Sequence, residues 1–306
     1  YFIALLAAVL WATHPIQTQA ITYIVQRMAS MAGMFYIMAM YFYVRGRVSP
    51  SNARKILWFA GCFISGLLAF GSKENAAMLP VSLFALDLFL IQGLSKHTIR
   101  RALLILVAVV LIVPLIALIT RGLTVFDPDY YSKAYALRNF TLIERLLTEP
   151  RVILFYISLL FYPMPSRLCL AHEISLSSGL LSPPSTLLSI LVILTIIIIA
   201  LIIARKYVLI AFCILFFFLN HVIESSIFPL ELIFEHRNYL PSTFFCLLIA
   251  IFFREIVSYF SYKRSLQWIM IAFITLMLIS QGHGTFVRNA TWKTEESLWI
   301  DVVEKY

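Results

Sequence analysis

Apolar residues in this chain come in unbroken blocks, and polar residues gather between the blocks. A helix needs about 17 to 25 mainly apolar residues to cross a bilayer. Read this way, the chain opens in an incomplete span at 1–13. Further spans follow at 22–44, 56–71, 76–92, 102–120, 184–204, 207–219, 239–253 and 265–280. The run at 151–163, RVILFYISLLFYP, is short and reads as a re-entrant or interfacial segment. The pattern predicts an all-α polytopic membrane protein built as a multi-span helical bundle.

The connecting segments set the expected orientation. One set holds Arg45, Arg47, Arg54 and Lys55, then Lys96, Arg100 and Arg101, then Arg205 and Lys206, then Arg254, Lys263 and Arg264. If 151–163 does not cross, all four clusters share one side, which the positive-inside tendency makes cytoplasmic. The other face, periplasmic or lumenal, then receives HPIQTQ (14–19), GSKEN (71–75), a long loop at 121–183, the segment 220–238 and the tail 281–306. A loop as long as 121–183 is more than a connector. Its Arg138, Glu144, Arg145 and Glu149, set among apolar residues, predict amphipathic helices lying on the membrane surface. The tail TWKTEESLWIDVVEKY has helical spacing and reads as the first helix of a further segment.

Composition narrows the function classes. The chain is 61% hydrophobic and 13% charged, against about 25% charged in soluble domains. Its formal charge of +9 therefore reads as a topology signal, and no nucleic-acid partner is expected. Four cysteines without a CxxC spacing support neither a metal site nor a disulfide framework. No GxGxxG, Walker loop, HExxH or GxSxG occurs, which argues against nucleotide-driven chemistry on the chain.

The candidate chemistry lies on the expected outer face. Pro15 breaks the helix after His14, and Arg27 is placed about two turns into the next span. They read either as a helix–turn–helix with Arg27 snorkelling, or as a polar floor for a lipid-linked anion. Lys73 and Glu74 are adjacent. They form either a self-neutralising pair or a phosphate contact beside an acid. Asp87 lies inside a span and is expected to pair with another helix or to be protonated. In FEHRNYLPS, Arg237 either pairs with Glu235 at the headgroup boundary or forks onto a phosphate. Glu235 or His236 would then hold a sugar hydroxyl or move a proton.

Four stretches in this order form a combination: HPIQTQAITYIVQR, GSKENAAMLPVSLFALDL, FEHRNYLPS and RNATWKTEESLW. Together they resemble the membrane half of the transmembrane O-mannosyltransferases with tetratricopeptide repeats, the cadherin-targeting family and its bacterial relatives. The resemblance implies a GT-C-like bundle at 1–281 with a long outer loop of surface helices. It also implies an outer-face segment at 282–306 leading into repeats. The implied activity is transfer of a hexose such as mannose from a dolichyl- or undecaprenyl-phosphate carrier to a protein hydroxyl. The implied place is the bacterial inner membrane or the endoplasmic reticulum membrane, on the periplasmic or lumenal face. By position it implicates Glu74, Glu235 and His236 in catalysis, and His14, Arg27, Lys73, Arg237 and Tyr239 in substrate binding. No metal ligand is implicated.

Two residues depart from the family pattern: Gln19 replaces an acid and Gln26 a glycine. The chain also starts directly in an apolar run. The expectation is a piece of a longer protein, inactive alone, with the main catalytic acid in a first outer loop upstream of Tyr1. Other readings are a transporter or lipid flippase, a membrane scaffold for a repeat domain, and a catalytically dead relative. One deep acid and no paired broken helices count against a transporter.

Overall fold

The computed structural model describes residues 1–101, 104, 133 and 135–305. No β-strand forms among the described residues. The helices, in chain order, are α1 (Phe2–Ala12), α2 (Thr18–Thr22), α3 (Arg27–Val48), α4 (Asn52–Ser72) and α5 (Leu79–Leu86). After α5 the chain continues as a π-helical turn, Asp87–Gln92. Then come α6 (Leu142–Phe161), α7 (Ser185–Ile203), α8 (Val208–His221), α9 (Pro241–Tyr259), α10 (Arg264–Thr291) and α11 (Glu295–Lys305). Among the described residues, five stretches are long and apolar enough to cross a membrane: Asn52–Ser72, Glu74–Gln92, Ser185–Ile203, Pro241–Tyr262 and Arg264–Thr291. The expected span at 102–120 falls outside the described residues.

Several expected boundaries move. The span read from 22 starts only at Arg27, because residues 15–26 form a 3-10 turn, the short α2 and a second 3-10 turn. Tertiary contacts hold this break open: Thr22 Oγ1 donates to Asn289 Oδ1 at 2.9 Å, and the Tyr23 ring meets Trp292 at 5.4 Å. Arg27 is thus the first residue of α3 and exposed, not two turns inside it. The last span runs on to Thr291, well past the expected end at 280.

Helix α6 absorbs the short apolar run at 151–163. It starts in a capping box, in which Thr141 Oγ1 accepts from the Glu144 N–H and the Glu144 carboxylate accepts from the Thr141 N–H. Its first turn is bonded to the segment after α8: Arg145 donates to the carbonyls of Glu224 and Ser226. At its other end, the Leu160 carbonyl accepts from His14 Nε2 at 3.1 Å. Both ends therefore meet segments at the same end of the bundle, and α6 lies across that end. Its buried stripe is Arg145, Thr148, Glu149, Val152, Tyr156, Leu159 and Leu160. Amphipathic spacing is present, but Arg145 and Glu149 lie on the buried face, contrary to the expectation of surface charges.

Three apolar clusters hold the rest. One joins α3, α4, α5 and α8 around Tyr36, Met40, Phe212 and Phe216. A second seats α6 on α8 through Val152, Tyr156 and Phe217. A third joins α1, α9 and α10 through Leu10, Ala250 and Ile274. Asp87, buried at the start of the π-helical turn, pairs with Arg47 of α3 at 2.8 Å and accepts from Gln92.

Gly33 sets one close approach. A Cβ there would lie 2.9 Å from the Tyr239 ring, whereas one on Gly71 would meet nothing within 4 Å. Gly33→Ala should lower the thermal stability of the purified protein by about 1–3 kcal/mol through overpacking. Gly71→Ala should be neutral or stabilising, by up to about 1 kcal/mol. Equal melting shifts for the two variants would contradict this packing.

Candidate functional site

Four polar stretches far apart in sequence meet at the end of the bundle that α6 crosses. Their meeting point is the 3-10 turn Glu235–Asn238, in which every residue is buried. A turn this short leaves side chains pointing in several directions, and each of its three ionisable residues engages a different neighbour.

Glu235 points toward the segment after α6. Its Oε1 accepts from the Cys169 N–H at 2.6 Å and from His172 Nε2 at 2.9 Å. Its Oε2 is buried with no hydrogen-bond partner among the described residues. His236 points toward α2, where both its backbone N–H and its Nδ1 lie on Gln19 Oε1, at 2.8 and 3.1 Å. Its ring stacks on Phe234 at 5.1 Å. Burial, reinforced by Lys73 and Arg237, pulls His236 down to about 2. The ring is therefore neutral, donates from Nδ1 and keeps Nε2 as the acceptor. Gln19 is the hydrogen-bond partner that fixes this ring.

Arg237 points back along its own loop. Its Nη1 donates to the Leu232 carbonyl at 2.9 Å and its Nη2 to the Glu231 carbonyl at 2.5 Å. Tyr156, Glu224 and Glu149 surround it and hold it above the ordinary guanidinium value despite burial. Arg145 does similar work from α6, with its three nitrogens on the carbonyls of Glu224, Ser226 and Leu230. Arg138 Nε holds the Pro229 carbonyl at 2.9 Å, and Tyr135 OH the Ile227 carbonyl at 2.9 Å. A non-helical loop here has no ladder for its carbonyls, so side chains supply the donors.

The acids and bases form a buried group. Lys73 pairs with Glu224, both nearly inaccessible. Arg145 pairs with Glu149 at 2.8 Å. Burial raises the Glu224 carboxyl, but Lys73 and Arg237 outweigh it and hold the group below its ordinary value. For Glu149 burial wins over Arg145 and Arg237 and pushes it up to about 7. The cations Lys73, Arg145 and Arg237 thus face three buried carboxylates, Glu149, Glu224 and Glu235.

The other expected site residues fall as follows. His14 is buried, but both ring nitrogens are engaged, Nδ1 by the Ile16 N–H and Nε2 by the Leu160 carbonyl. Burial pulls it down to about 4. Lys73 turns inward to Glu224 and not to its neighbour Glu74, which stays exposed. The adjacent pair expected from the sequence does not form. Arg27 is exposed, with Nε on the Ile21 carbonyl at 3.2 Å. Tyr239 meets the Trp11 ring edge-on at 4.8 Å, and its carbonyl accepts from Trp11 Nε1 at 3.1 Å. The turn therefore gathers Lys73, Glu235, His236, Arg237 and Tyr239, while Glu74 and Arg27 lie apart on exposed surface. Sequence reasoning missed His172, which carries no motif, and the burial of Arg145, Glu149 and Tyr156. The 145–149–152–156 spacing on α6 was the available signal.

A cleft and a groove lie at this end of the bundle. A polar cleft of about 780 Å³ is lined by Arg138, His172, Glu173, Glu231 and Phe234, among others. An apolar groove of about 600 Å³ runs along α9 from Phe245 to Glu255. His14 and Gln281 line it as well, and they belong to the polar end of the bundle. No group of His, Cys, Asp and Glu suited to a metal occurs among the described residues. No family model, curated protein or solved structure matches the chain.

The raised Glu149 value gives a pH dependence. The folded state holds this proton more tightly than an ordinary carboxyl with a value of 4.5. The stabilisation is complete below that value and fades as pH rises through about 7. The melting temperature should therefore fall across this window in the parent, and Glu149→Gln should flatten the fall. Parallel curves for the two proteins would contradict the assignment.

Proposed function

We infer that the chain is the membrane part of a glycosyltransferase that takes a sugar from a polyprenyl-phosphate carrier. One observation carries this reading. Three of the stretches behind the family resemblance meet in one buried group: Gln19 reaches the turn at His236, and Lys73 reaches Glu224, whose charge acts on Arg237 of the turn. The fourth stretch reaches the same end through Asn289, on Thr22. The turn stands beside a polar cleft, and an apolar groove reaches the same end.

In this reading the carrier chain lies along α9 and the phosphate sits at the polar end. The cations Lys73 and Arg237 favour the charge that develops on the leaving phosphate. The field acts at a distance, because the terminal nitrogens of Arg237 are already on carbonyls. Glu235, with one oxygen held and the other unpartnered, is the group best prepared to handle a hydroxyl proton within the described residues. The acceptor is a protein hydroxyl.

A second reading, a non-catalytic scaffold, draws support from the same saturation of Arg145 and Arg237 and from Gln19 standing where the family has an acid. The assay uses the intact parent chain in proteoliposomes with labelled polyprenyl-phosphate mannose and other hexose donors. Glu235→Gln, shown to be folded by gel filtration, should lower kcat/KM by about a hundredfold or more. Arg254→Gln, at the opposite end, should change it less than about twofold. Absence of transfer from every donor would favour the scaffold. Transfer that survives Glu235→Gln would remove Glu235 from the mechanism.

A further inference from the structure

The segment between α6 and α7 is gripped from two sides. On one side is α11. Lys305 Nζ donates to the carbonyls of Pro165 and Leu168 at 2.9 and 2.7 Å, and to Asp301 Oδ1 at 2.5 Å. Asp301 Oδ2 accepts from Nη1 of Arg288, a fully buried residue of α10, at 2.6 Å. On the other side is the 235–238 turn. The next N–H along, that of Cys169, donates to Glu235 Oε1, and His172 Nε2 shares that oxygen. Leu168 and Cys169 are buried between the two grips. Residues 165–169 therefore form a strap with carbonyls on α11 and an N–H on Glu235.

The strap is otherwise fixed by Leu168, fully buried in the apolar cluster of α6 and α8. Arg167 ties it back to the end of α6, donating to the Tyr162 carbonyl and to Ser158 Oγ. Gly284 lets α10 pass close by, since a Cβ there would lie 3.1 Å from Pro15 and 3.8 Å from Pro165. Helix α11 is itself lightly held. Among the described residues, its polar contacts beyond its N-terminal turn are those of Asp301 and Lys305. Trp299, Ile300 and Val303 on its surface are exposed.

We propose that α11 is a latch, with Lys305 and Asp301 as positioning residues that hold the Cys169 N–H and His172 on Glu235. Release of α11 frees the strap, and Glu235 loses the two donors that fix Oε1. A displacement of α11, or of whatever is joined to it, is thereby felt at the buried turn. Only the catalytic meaning of Glu235 rests on the transferase reading; the latch is a matter of geometry and is tested without an activity.

Cys169 is the built-in reporter. All four cysteines are free and buried, and Cys62, Cys213 and Cys246 lie in helices away from the strap. The full-length chain in nanodiscs is treated with N-ethylmaleimide, and the labelling rate of each cysteine is read by peptide mass spectrometry. Lys305→Met should speed labelling of Cys169 by about tenfold or more, as expected for losing charge-assisted hydrogen bonds, with the other three unchanged. Lys305→Arg, which keeps the donors, should return the rate to within about threefold of the parent. Glu235→Gln should also speed Cys169 labelling. Combined with Lys305→Met it should give less than the product of the two effects, because both act on one strap.

Cys169 staying as protected in Lys305→Met as in the parent overturns the proposal. So does a double variant whose effects multiply. If Lys305→Met opens all four cysteines, the bundle has come apart and the milder Asp301→Asn decides. Selective opening of Cys169 in that variant supports the latch, and no opening overturns it.

Discussion

The polar end of this bundle depends on guanidinium groups bonded to backbone carbonyls. Between α8 and α9 the chain leaves the helix and keeps an irregular path from Glu224 to Phe234. Such a path has no internal ladder, and unpaired carbonyls away from water are costly. Arg145, Arg138 and Arg237, with Tyr135, supply the missing donors from three directions. Arginine suits the task because its planar fork bridges successive carbonyls, where a lysine offers a single point. The charges that come with these forks require Glu149 and Glu224 nearby, and Glu224 in turn takes up Lys73. Much of the buried ionic group thus follows from the need to satisfy one loop.

This view changes what the EHR triplet means. Glu, His and Arg stand next to each other in sequence, yet a 3-10 turn sends them to the strap, to Gln19 and to the loop carbonyls respectively. The triplet is a junction at which three segments are fastened. Any catalytic use of it draws on groups that the fastening has already oriented. Among the described residues Glu235, with one oxygen fixed and one unpartnered, keeps the most capacity for chemistry.

The apolar blocks were plain in the sequence because lipid-facing helices are apolar all round, and the spans on α4, α5 and α7 follow them closely. The break at Pro15 was legible for the same local reason. The partners were not. Lys73 sits beside Glu74 in sequence, and only the packing of α8 brings Glu224 to it instead. Arg145 and Glu149 look like ordinary surface charges until α6 is laid across the bundle end. His172 and Lys305 belong to no motif, and their roles come from long-range contacts that periodicity does not report. The start of α3 at Arg27 is likewise set by contacts with Asn289 and Trp292, more than two hundred residues away.

The arginine–carbonyl bonds hold the polar end together as one unit. Hydrogen–deuterium exchange of the full-length chain, comparing the parent with Arg237→Lys, tests it most directly. The account predicts faster exchange across 222–238, together with faster exchange in 18–22 and 73–78, the segments joined to it through Gln19 and Lys73. Unchanged exchange in all three segments would contradict it, and would return Arg237 to the role of a group held in reserve for a ligand.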